Sequence, residues 1–574
     1  MLRGKTYQEV CRNFKWKIPH YYNIGVDVCD KWAGDGNRIA LIYIDRQKNE
    51  QTVTFRQLRT LSNQLANALQ ANGIKRQDRV GILLSQRPET LISHIAVYKL
   101  AAIAVQLLTL FGPDAIEFRL QDSAAQAVIT DQENLPKIFE IKERLPDLKL
   151  IIVVDGNPKQ GIINFAECIS KASRDFTPVK TRPRDPALII YTSGTTGQPK
   201  GTLHGHQLLL GILPGFEFYH NLFPQKGDLM WTPLDWAYIG GSYDALFPTL
   251  HHGYPVLAYK PRKFDPAEAF YVMAAHGVRN LMTVPTVLRM MMHAVKRPRD
   301  KFDLNLRSIT AGGETLGEEL SEWSKAHLGV DINEQYGQTE CDLVVGFCSE
   351  IMNIVPGSIG KAVPGHVVEI VDEDGQVAKQ DELGEIAVKG PDPVMFLKYW
   401  KNPQATKDKF IGEWLRTGDY GRKDENGNLW FSGRQDDIIE SGGFRIGPGE
   451  VEDCLMKHAA VALVGVIGVS DPIRGEIVKA FILPKAGVRT GKALAESIKD
   501  HVKTRLEAHA YPREVVFLEE MPKTKTGKIL KQELRRMHAT GLQGSAPPPA
   551  KKNGRSNRKR NIAVHRRERR ERKT

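Results

Sequence analysis

The sequence predicts an α/β fold with a large N-terminal domain of stacked, mostly parallel sheets and helices, followed by a small α+β domain and a disordered basic tail. The 574 residues are too many for one ordinary domain. Strand-like apolar runs alternate with helical patterns along the first half of the chain, which is typical of a parallel sheet. Beyond residue 540 the composition changes to Gly, Ser, a run of Pro and then Arg, which indicates a disordered tail.

The first half of the chain opens with an amphipathic helix and continues with strands. One helical face is formed by the apolar residues Phe55, Leu58, Leu61, Leu65 and Leu69. Gly73 follows at the position where glycine commonly ends a helix. We expect strands at Val80–Leu84, Ala127–Thr130, Leu150–Val154, Ala187–Tyr191, Val256–Tyr259, Asn280–Val284 and Arg307–Ala311. Helical patterns separate several of these runs, which favours a mostly parallel sheet.

A second region begins after Trp430 and has its own mixture of elements. We expect strands at Leu463–Val469 and Ile477–Leu483, and a helix from Ala493 to Leu506. A short linker near Asp436 would join this region to the first. The predicted domains are therefore a large domain over residues 1–434, a small domain over residues 435–540 and the tail over residues 541–574.

The formal net charge of +13 lies mostly in the tail. Residues 541–574 contain twelve Lys or Arg and two Glu, which leaves 68 basic and 65 acidic residues in the rest of the chain. We therefore expect the tail to bind polyanions and the body to lack a specific nucleic-acid surface. No run reaches the about 18 apolar residues of a spanning helix, and the N-terminus has no signal-peptide core. Six scattered cysteines without metal-ligand spacing also suit a cytoplasmic protein.

The segment Tyr191–Gly201 reads YTSGTTGQPKG and directly follows the apolar run Ala187–Ile190. Glycines let the backbone wrap an anion with its N–H groups, and hydroxyls can donate further hydrogen bonds. We therefore expect phosphate contacts from Thr192, Ser193, Gly194, Thr195, Thr196, Gly197 and Lys200. The spacing differs from a Walker A loop, and Pro199 precedes the lysine where that motif has glycine. The alternative interpretation is a flexible Gly/Ser turn.

Two further segments have the composition of a metal-nucleotide site. The hexapeptide from Gln335 to Glu340 places the Thr339 hydroxyl beside the Glu340 carboxylate, so Thr339 can bond a phosphate while Glu340 holds Mg²⁺. Taken alone, this hexapeptide is more typical of an exposed polar turn. In Ala311-Gly312-Gly313-Glu314 the glycines let a planar base approach the backbone closely.

The last two segments carry charges suited to ribose and phosphate. On a loop after Trp414, Asp419 can accept hydrogen bonds from both ribose hydroxyls, and Arg434 can donate to them. A surface ion pair is the alternative for these two residues. In Pro522–Lys528 a lysine on a Gly-containing loop can bring a point charge to an oxyanion developing at phosphorus, although lysines in such basic stretches are often only solvated.

Together and in this order, these five segments resemble the adenylate-forming superfamily over roughly residues 7 to 538. Within it, the chain is most similar to AMP-dependent acyl-CoA synthetases of the medium-chain type. That resemblance rests on Tyr336–Glu340, on Asp471–Glu476 (DPIRGE) and on Tyr511-Pro512-Arg513. It implies a ligase that uses ATP to activate a carboxylic acid as an acyl-adenylate, releases pyrophosphate and transfers the acyl group to coenzyme A.

The resemblance also implies a role for each matching residue. Lys528, Thr339 and Glu340 would be catalytic, with Mg²⁺ on Glu340. Contacts to ATP or AMP would come from Gly313, Glu314, Gln335, Tyr336, Gly337, Gln338, Asp419 and Arg434 in addition to the phosphate segment. Coenzyme A would contact Gly442, Gly443, Phe444, Arg445, Arg474 and Lys503. The small domain would be a mobile lid that rotates about Asp436, withdrawing Lys528 before the thiol attacks.

The acyl pocket is expected to involve Gly337 and Trp236. Acetate-specific members of the superfamily close the pocket with a tryptophan where this chain has Gly337, so a short- to medium-chain acid longer than acetate is expected. Trp236 could shorten the pocket again, which leaves acetate activation as an alternative. A second alternative is a stand-alone adenylation enzyme that loads a carrier protein, although the tail offers no carrier domain and the matches at Arg474 and Lys503 favour free coenzyme A. The particular acid and the oligomeric state stay open.

Overall fold

The computed structural model of the protein describes residues 1–156, 161–192, 199–261, 263–314, 316–434, 437, 439–441, 444–471, 475–505, 510–523 and 529–541. The chain forms two compact units, a large one built mainly from Met1–Ile439 and a small one built mainly from residues after Cys454. The predicted domain limits at residues 434 and 540 stay predictions. Residues 542–574 lie outside the described residues, so the disorder of the tail stays a prediction.

The first sheet of the large unit has nine strands. Their spatial order is Lys361–Ala362, Asp342–Gly346, Ile332–Gln338, Ser308–Gly312, Asn280–Thr283, Met230–Trp231, Val256–Tyr259, Ile39–Ile44 and Glu50–Thr54. The pairing is parallel from Ile332–Gln338 to Ile39–Ile44 and antiparallel at both edges. The strand predicted at Val256–Tyr259 has the same limits in the structure. The strand predicted at Asn280–Val284 ends one residue earlier, and the strand predicted at Arg307–Ala311 is displaced by one residue.

The second sheet of the large unit has eight strands. Their order is Lys398–Tyr399, Lys200–Gly205, Pro186–Thr192, Ile103–Gln106, Arg79–Leu83, Ala127–Thr130, Leu150–Val153 and Ile163–Asn164. Pairing is parallel from Pro186–Thr192 to Ile163–Asn164 and antiparallel at the other edge. Its strands Ile103–Gln106, Ala127–Thr130 and Leu150–Val153 are buried at every position, as expected when helices cover both faces of a parallel sheet. The two mostly parallel sheets confirm the predicted α/β fold.

A third, antiparallel sheet completes the large unit, and the sequence analysis did not predict it. Its strands are Val368–Val371, Gly384–Lys389, Trp414–Lys423, Phe410–Ile411 and Leu429–Arg434. The prediction that Asp419 lies on a loop is wrong, because this residue lies within the long strand Trp414–Lys423 and pairs with Arg434 on the next strand. A mixed pattern of buried and half-buried residues gave this strand no continuous apolar run.

A fourth sheet contains the strands of the C-terminal region. They are Phe444–Ile446, Ile439–Ser441, Gly475–Pro484, Val461–Asp471 and Glu514–Phe517. The strands predicted at Leu463–Val469 and Ile477–Leu483 are confirmed and extend further, and the predicted helix starts at Lys492. A core of the small unit includes Ile467, Phe481 and Leu534.

The helices are mostly short and cover the sheets. The α-helices span Tyr7–Asn13, Ile24–Asp27, Phe55–Ala71, Pro88–Lys99, Pro113–Ser123, Leu135–Ile141, Phe165–Lys171, Leu208–Tyr219, Ile239–Gly241, Phe247–His251, Pro266–His276, Pro285–Ala294, Glu318–Trp323, Pro403–Asp408, Pro448–Met456, Lys492–Arg505 and Lys531–Ala539. Tighter 3₁₀ turns span Asp30–Trp32, Lys142–Arg144 and Pro298–Asp300, and π-turns span Ser242–Leu246 and Ser324–Leu328. None of the helices in the described ranges is long and apolar enough to cross a membrane.

The predicted amphipathic helix is confirmed as Phe55–Ala71. It begins with a capping box in which the Thr54 hydroxyl accepts from the Gln57 backbone and the Gln57 side chain accepts from the Thr54 backbone. Gly73, with φ of +87°, follows the end of the helix and donates to the Gln70 carbonyl. The apolar face therefore has defined limits at both ends.

A buried lysine connects this helix to its neighbour Pro88–Lys99, which is buried on all sides. The Lys99 side chain is 0% exposed, and its ammonium lies 2.6 Å from the Asp30 carboxylate. It also donates to the Ser62 hydroxyl at 3.0 Å and to the Asn63 side chain at 2.8 Å. A buried charge needs such partners, because burying it unpaired costs several kcal/mol or more.

We predict that Asp30→Ala destabilises the large unit by about 3–5 kcal/mol, since it leaves the Lys99 cation buried without its counter-ion. In a Lys99→Met background, which removes that cation, the same Asp30→Ala change should cost much less. Urea unfolding followed by tryptophan fluorescence compares the four proteins. Equal costs in both backgrounds would show that the ion pair contributes nothing to stability.

Candidate functional site

The strand Ile332–Gln338 carries most of the hexapeptide singled out in the sequence. It pairs in parallel with Ser308–Gly312, and a Cβ atom on Gly312 would lie 2.2 Å from the Gln335 carbonyl oxygen. Glycine is therefore required for the two strands to come this close. The buried Gln335 side chain accepts from the Thr310 hydroxyl at 3.0 Å. The Gln335 side chain thus links the two paired strands.

Hydrogen-bond donors from two other strands lie close to the Asp419 carboxylate. Tyr336 donates its hydroxyl to Oδ2 at 2.8 Å, and the Gln338 amide donates to the same oxygen at 3.5 Å. The Arg434 guanidinium lies 3.7 Å from Oδ1. Burial, followed by the charge of Asp419, raises the pKa of Tyr336 well above its usual value, so the phenol stays a donor. The predicted ribose residues Asp419 and Arg434 are therefore neighbours in the structure.

The Glu340 carboxylate is hydrogen-bonded to Tyr399, a residue that no sequence motif pointed to. The Tyr399 hydroxyl donates to Glu340 Oε1 at 2.5 Å, and the Lys200 ammonium lies 5.4 Å from the centre of the Tyr399 ring. Burial and the Glu340 charge raise the pKa of Tyr399, which keeps it protonated. The structure thus brings Lys200 of the phosphate segment near the Thr339-Glu340 pair.

Mg²⁺ fits these groups. A carboxylate next to a hydroxyl supplies the oxygen ligands that Mg²⁺ prefers, and this ion usually keeps waters and substrate phosphates as its other ligands. No cluster of three or more His, Cys, Asp or Glu suited to a metal occurs among the residues with described positions. A cation here would therefore rest on Glu340, with the half-buried Thr339 hydroxyl beside it.

The two ends of the phosphate segment are held in register. Thr192 pairs with Lys200 across the antiparallel strands, and the Thr192 hydroxyl donates to the Lys200 carbonyl at 3.4 Å. Tyr191 donates to the Asp122 carboxylate at 2.6 Å. The residues between these ends, Ser193, Gly194, Thr195, Thr196 and Gly197, lie outside the described residues.

The Gly313-Glu314 pair follows the strand Ser308–Gly312. Gly313 has φ of +83°, and no atom lies within 4 Å of the place where a Cβ would be. A flat group could therefore approach the backbone here. The Glu314 carboxylate accepts from the Thr286 hydroxyl at 2.6 Å and pairs with Arg289 at 3.3 Å, which fixes its position.

The two residues expected in the acyl pocket are placed differently from the prediction. The argument that Gly337 leaves open volume does not hold, because a Cβ there would lie 1.7 Å from the Asp342 carbonyl oxygen. Trp236 is fully buried, so no water-sized space reaches it, and its carbonyl accepts from the Gln106 amide. Tyr238, only two residues further on, exposes 46% of its surface. The burial of these positions depends on how distant segments of the chain pack against them, which the local sequence does not show.

The residues expected to bind coenzyme A are only partly described. Phe444 and Arg445 lie in the strand Phe444–Ile446. Lys503, on the helix Lys492–Arg505, donates to Asp500 at 3.1 Å and lies 4.4 Å from the Tyr511 ring centre. Outside the described residues lie Gly442, Gly443, Arg474, the hinge residue Asp436 and the catalytic Lys528. These assignments stay predictions.

The contact at Gly337 gives a prediction. Gly337→Ala should destabilise the protein by about 3 kcal/mol, the upper end of the usual cost of overpacking, because its Cβ meets backbone and not a flexible side chain. Gly34→Ala is the matched control, since nothing lies within 4 Å of a Cβ at that exposed glycine. Thermal unfolding of both variants checks this, and a stable Gly337→Ala protein would restore the open-pocket interpretation.

Comparison with known proteins places this arrangement in a family. The family model described as AMP-binding enzyme matches residues 29–400, and the model of the AMP-binding enzyme C-terminal domain matches residues 450–528. A mitochondrial acyl-coenzyme A synthetase (ACSM3) of Rattus norvegicus is 34% identical over 549 residues, covering 93% of this chain and 94% of the rat protein. An acetyl-coenzyme A synthetase of Bacillus subtilis is also 34% identical, covering 92% of this chain and 95% of its own length.

Solved structures agree with the sequence comparison. An acyl-CoA synthetase of Brucella canis has a TM-score of 0.73 at 32% identity and covers 94% of this chain and 99% of its own. An anthranilate CoA ligase in complex with anthranoyl-AMP has a TM-score of 0.81 at 30% identity, covering 92% of this chain and 99% of its own. With a family match over more than half its length and relatives of this similarity, the chain belongs to the AMP-binding enzyme family.

Proposed function

We propose that the protein is an AMP-forming acid–CoA ligase. In the first step a carboxylate oxygen attacks the α-phosphorus of ATP, forming an acyl-adenylate and releasing pyrophosphate. In the second step the thiol of coenzyme A attacks the acyl carbonyl, forming a thioester and releasing AMP. The observation that carries this proposal is the convergence of Tyr336, Gln338 and Arg434 on the buried Asp419, beside the Glu340–Tyr399 pair.

The nucleotide would lie along the end of the strand Ile332–Gln338. Asp419 would accept hydrogen bonds from the ribose hydroxyls, with Arg434 donating beside it. Gly313 offers an open, flat approach for the base. Thr339 would donate to the α-phosphate, and Lys200 would place a positive charge near the phosphates. All these groups belong to the large unit, which would therefore bind ATP largely by itself.

Mg²⁺, when bound, would neutralise phosphate charge and orient the pyrophosphate leaving group. Glu340 would hold the ion. The Tyr399 hydroxyl, a neutral donor, orients this carboxylate through a hydrogen bond to its Oε1 atom. Because this donor carries no charge, the negative charge of Glu340 stays available to a cation.

The small unit would supply the remaining chemistry. Lys528 would bridge the acyl carboxylate and the α-phosphate, where a positive charge stabilises the transition state of the first step. Rotation about Asp436 would then withdraw Lys528 and bring Gly443 and Arg445 to the path of the thiol. Arg474 and Lys503 would attract the phosphates of coenzyme A. Alternation between two arrangements suits chemistry in which the lysine and the thiol need the same space.

The substrate we propose is a short- to medium-chain carboxylic acid. The relatives support an acid of this class, and their printed names range from acetyl- to acyl-coenzyme A synthetase. Because the space at Gly337 is filled by backbone, this position does not decide the chain length. An acetyl-CoA synthetase is therefore the second candidate, and an enzyme that loads a carrier protein is the third.

A panel of acids tests the function directly. With ATP and Mg²⁺, we expect acid-dependent pyrophosphate release and, when coenzyme A is added, stoichiometric acyl-CoA and AMP. Across straight-chain acids of two to twelve carbons, each added CH₂ that becomes buried should raise kcat/KM by a factor of about four until the pocket is full. An optimum at acetate would favour the second candidate. Adenylate formation without acyl-CoA would favour the third.

The two half-reactions can be separated by single substitutions. Lys528→Ala should lower acid-dependent pyrophosphate release by at least about a hundredfold while sparing thioester formation from a supplied acyl-adenylate, because the lysine acts only on the first step. Gly443→Leu should have the opposite effect by obstructing the thiol. Rapid-quench assays of each half-reaction measure both. Equal loss of the two half-reactions in either variant would contradict the assigned role.

A further inference from the structure

The lysine that follows the helix Pro403–Asp408 reaches the proposed nucleotide site from a neighbouring element. The ammonium of Lys409 donates to Gln338 Oε1 at 2.7 Å and to the Thr417 carbonyl at 3.3 Å. The Gln338 amide nitrogen in turn donates to the Thr417 carbonyl at 2.9 Å and to Asp419 Oδ2 at 3.5 Å. A chain of donors therefore runs from Lys409 through Gln338 to Asp419.

This chain allows only one orientation of the amide. An ammonium can only donate, and an ionised carboxylate can only accept. Lys409 therefore requires the oxygen of the Gln338 amide on its own side, which turns the nitrogen toward Asp419. With the amide reversed, an N–H would face the ammonium and an oxygen would face the carboxylate, so both contacts would become repulsive.

Backbone hydrogen bonds fix the position of Lys409. Its carbonyl accepts from the Arg416 N–H at 2.9 Å, and Phe410 pairs with Leu415 in the adjoining hairpin. The same strand continues through Thr417 to Asp419. The donor and the carboxylate that it orients are thus fixed to one piece of sheet, while Gln338 comes from another.

We propose that Lys409 is a positioning residue for recognition of the nucleotide ribose, a role that rests on the function proposed above. It fixes the Gln338 amide, and that amide together with Tyr336 fixes the Asp419 carboxylate that accepts the ribose hydroxyls. Lys409 contacts neither the phosphates nor the acid in this role. Its loss therefore affects the discrimination between ribose and deoxyribose more than it affects the chemical step.

The test compares ATP with 2′-deoxyATP in acid-dependent pyrophosphate exchange. In Lys409→Met, which keeps the length of the side chain without its charge, the KM for ATP should rise about tenfold, the effect of losing one hydrogen bond to a charged group. The KM for 2′-deoxyATP should rise at most about threefold, and kcat should stay within about twofold. Lys409→Arg, which keeps donors at this place, should retain most of the preference for ATP.

Two controls separate positioning from a general structural effect. Lys407→Met changes an exposed lysine in the last turn of the same helix and should behave like the unmodified protein. Gln338→Met should lose the ribose preference as Lys409→Met does, and the double variant should lose no more than either single one, because both act through one chain of contacts. Additive losses would overturn the proposal.

Equal increases in KM for both nucleotides, together with a lower melting temperature, would also overturn it, since a merely structural lysine gives that result. Calorimetric binding of AMP and 2′-deoxyAMP provides a readout that is independent of turnover. If the unmodified protein shows no acid-dependent exchange but prefers AMP, and Lys409→Met abolishes that preference, the proposed reaction fails and the role of Lys409 stands. If the preference survives in Lys409→Met, the role of Lys409 fails whatever the reaction is.

Discussion

The buried Asp419 carboxylate is the constraint on which the rest of the candidate site depends. A carboxylate that is only 6% exposed must be compensated by donors, because an uncompensated buried charge costs several kcal/mol. The donors come from Tyr336, Gln338 and Arg434. Tyr336 and Gln338 belong to the nine-stranded sheet, and Arg434 belongs to the antiparallel sheet that also holds Asp419. One charge therefore connects the strand Ile332–Gln338 of the nine-stranded sheet with the antiparallel sheet.

The parallel core was predictable because its strands are buried on both faces. Runs such as Ala127–Thr130 and Val256–Tyr259 contain apolar residues at successive positions, and the structure has strands with the same limits. The antiparallel sheet was not predicted, because charged residues interrupt the apolar positions of its longest strand. Trp414–Lys423 contains Arg416, Asp419 and Lys423, and such a segment resembles a polar loop when its partners are unknown.

The motif residues of the site were identifiable, but their partners were not. Gln338 and Lys409 are 71 positions apart in the chain, and Glu340 and Tyr399 are 59 apart. A local sequence pattern determines the backbone and the type of side chain at a position, whereas these contacts depend on how two sheets meet. The prediction of open pocket volume at Gly337 was wrong for the same reason. The backbone of Asp342 fills the space that the absence of a side chain was expected to leave open.

Neighbouring side chains at the end of the strand Ile332–Gln338 connect recognition of the two ends of the nucleotide. Gln338 is tied to Lys409 and Asp419 on the ribose side, and Glu340 is tied to Tyr399 near Lys200 on the phosphate side. Thr339 lies between them in the chain and is half-buried. Adjacent residues therefore serve the ribose and the phosphates through separate side-chain partners, so loss of Lys409 removes contacts on the ribose side only.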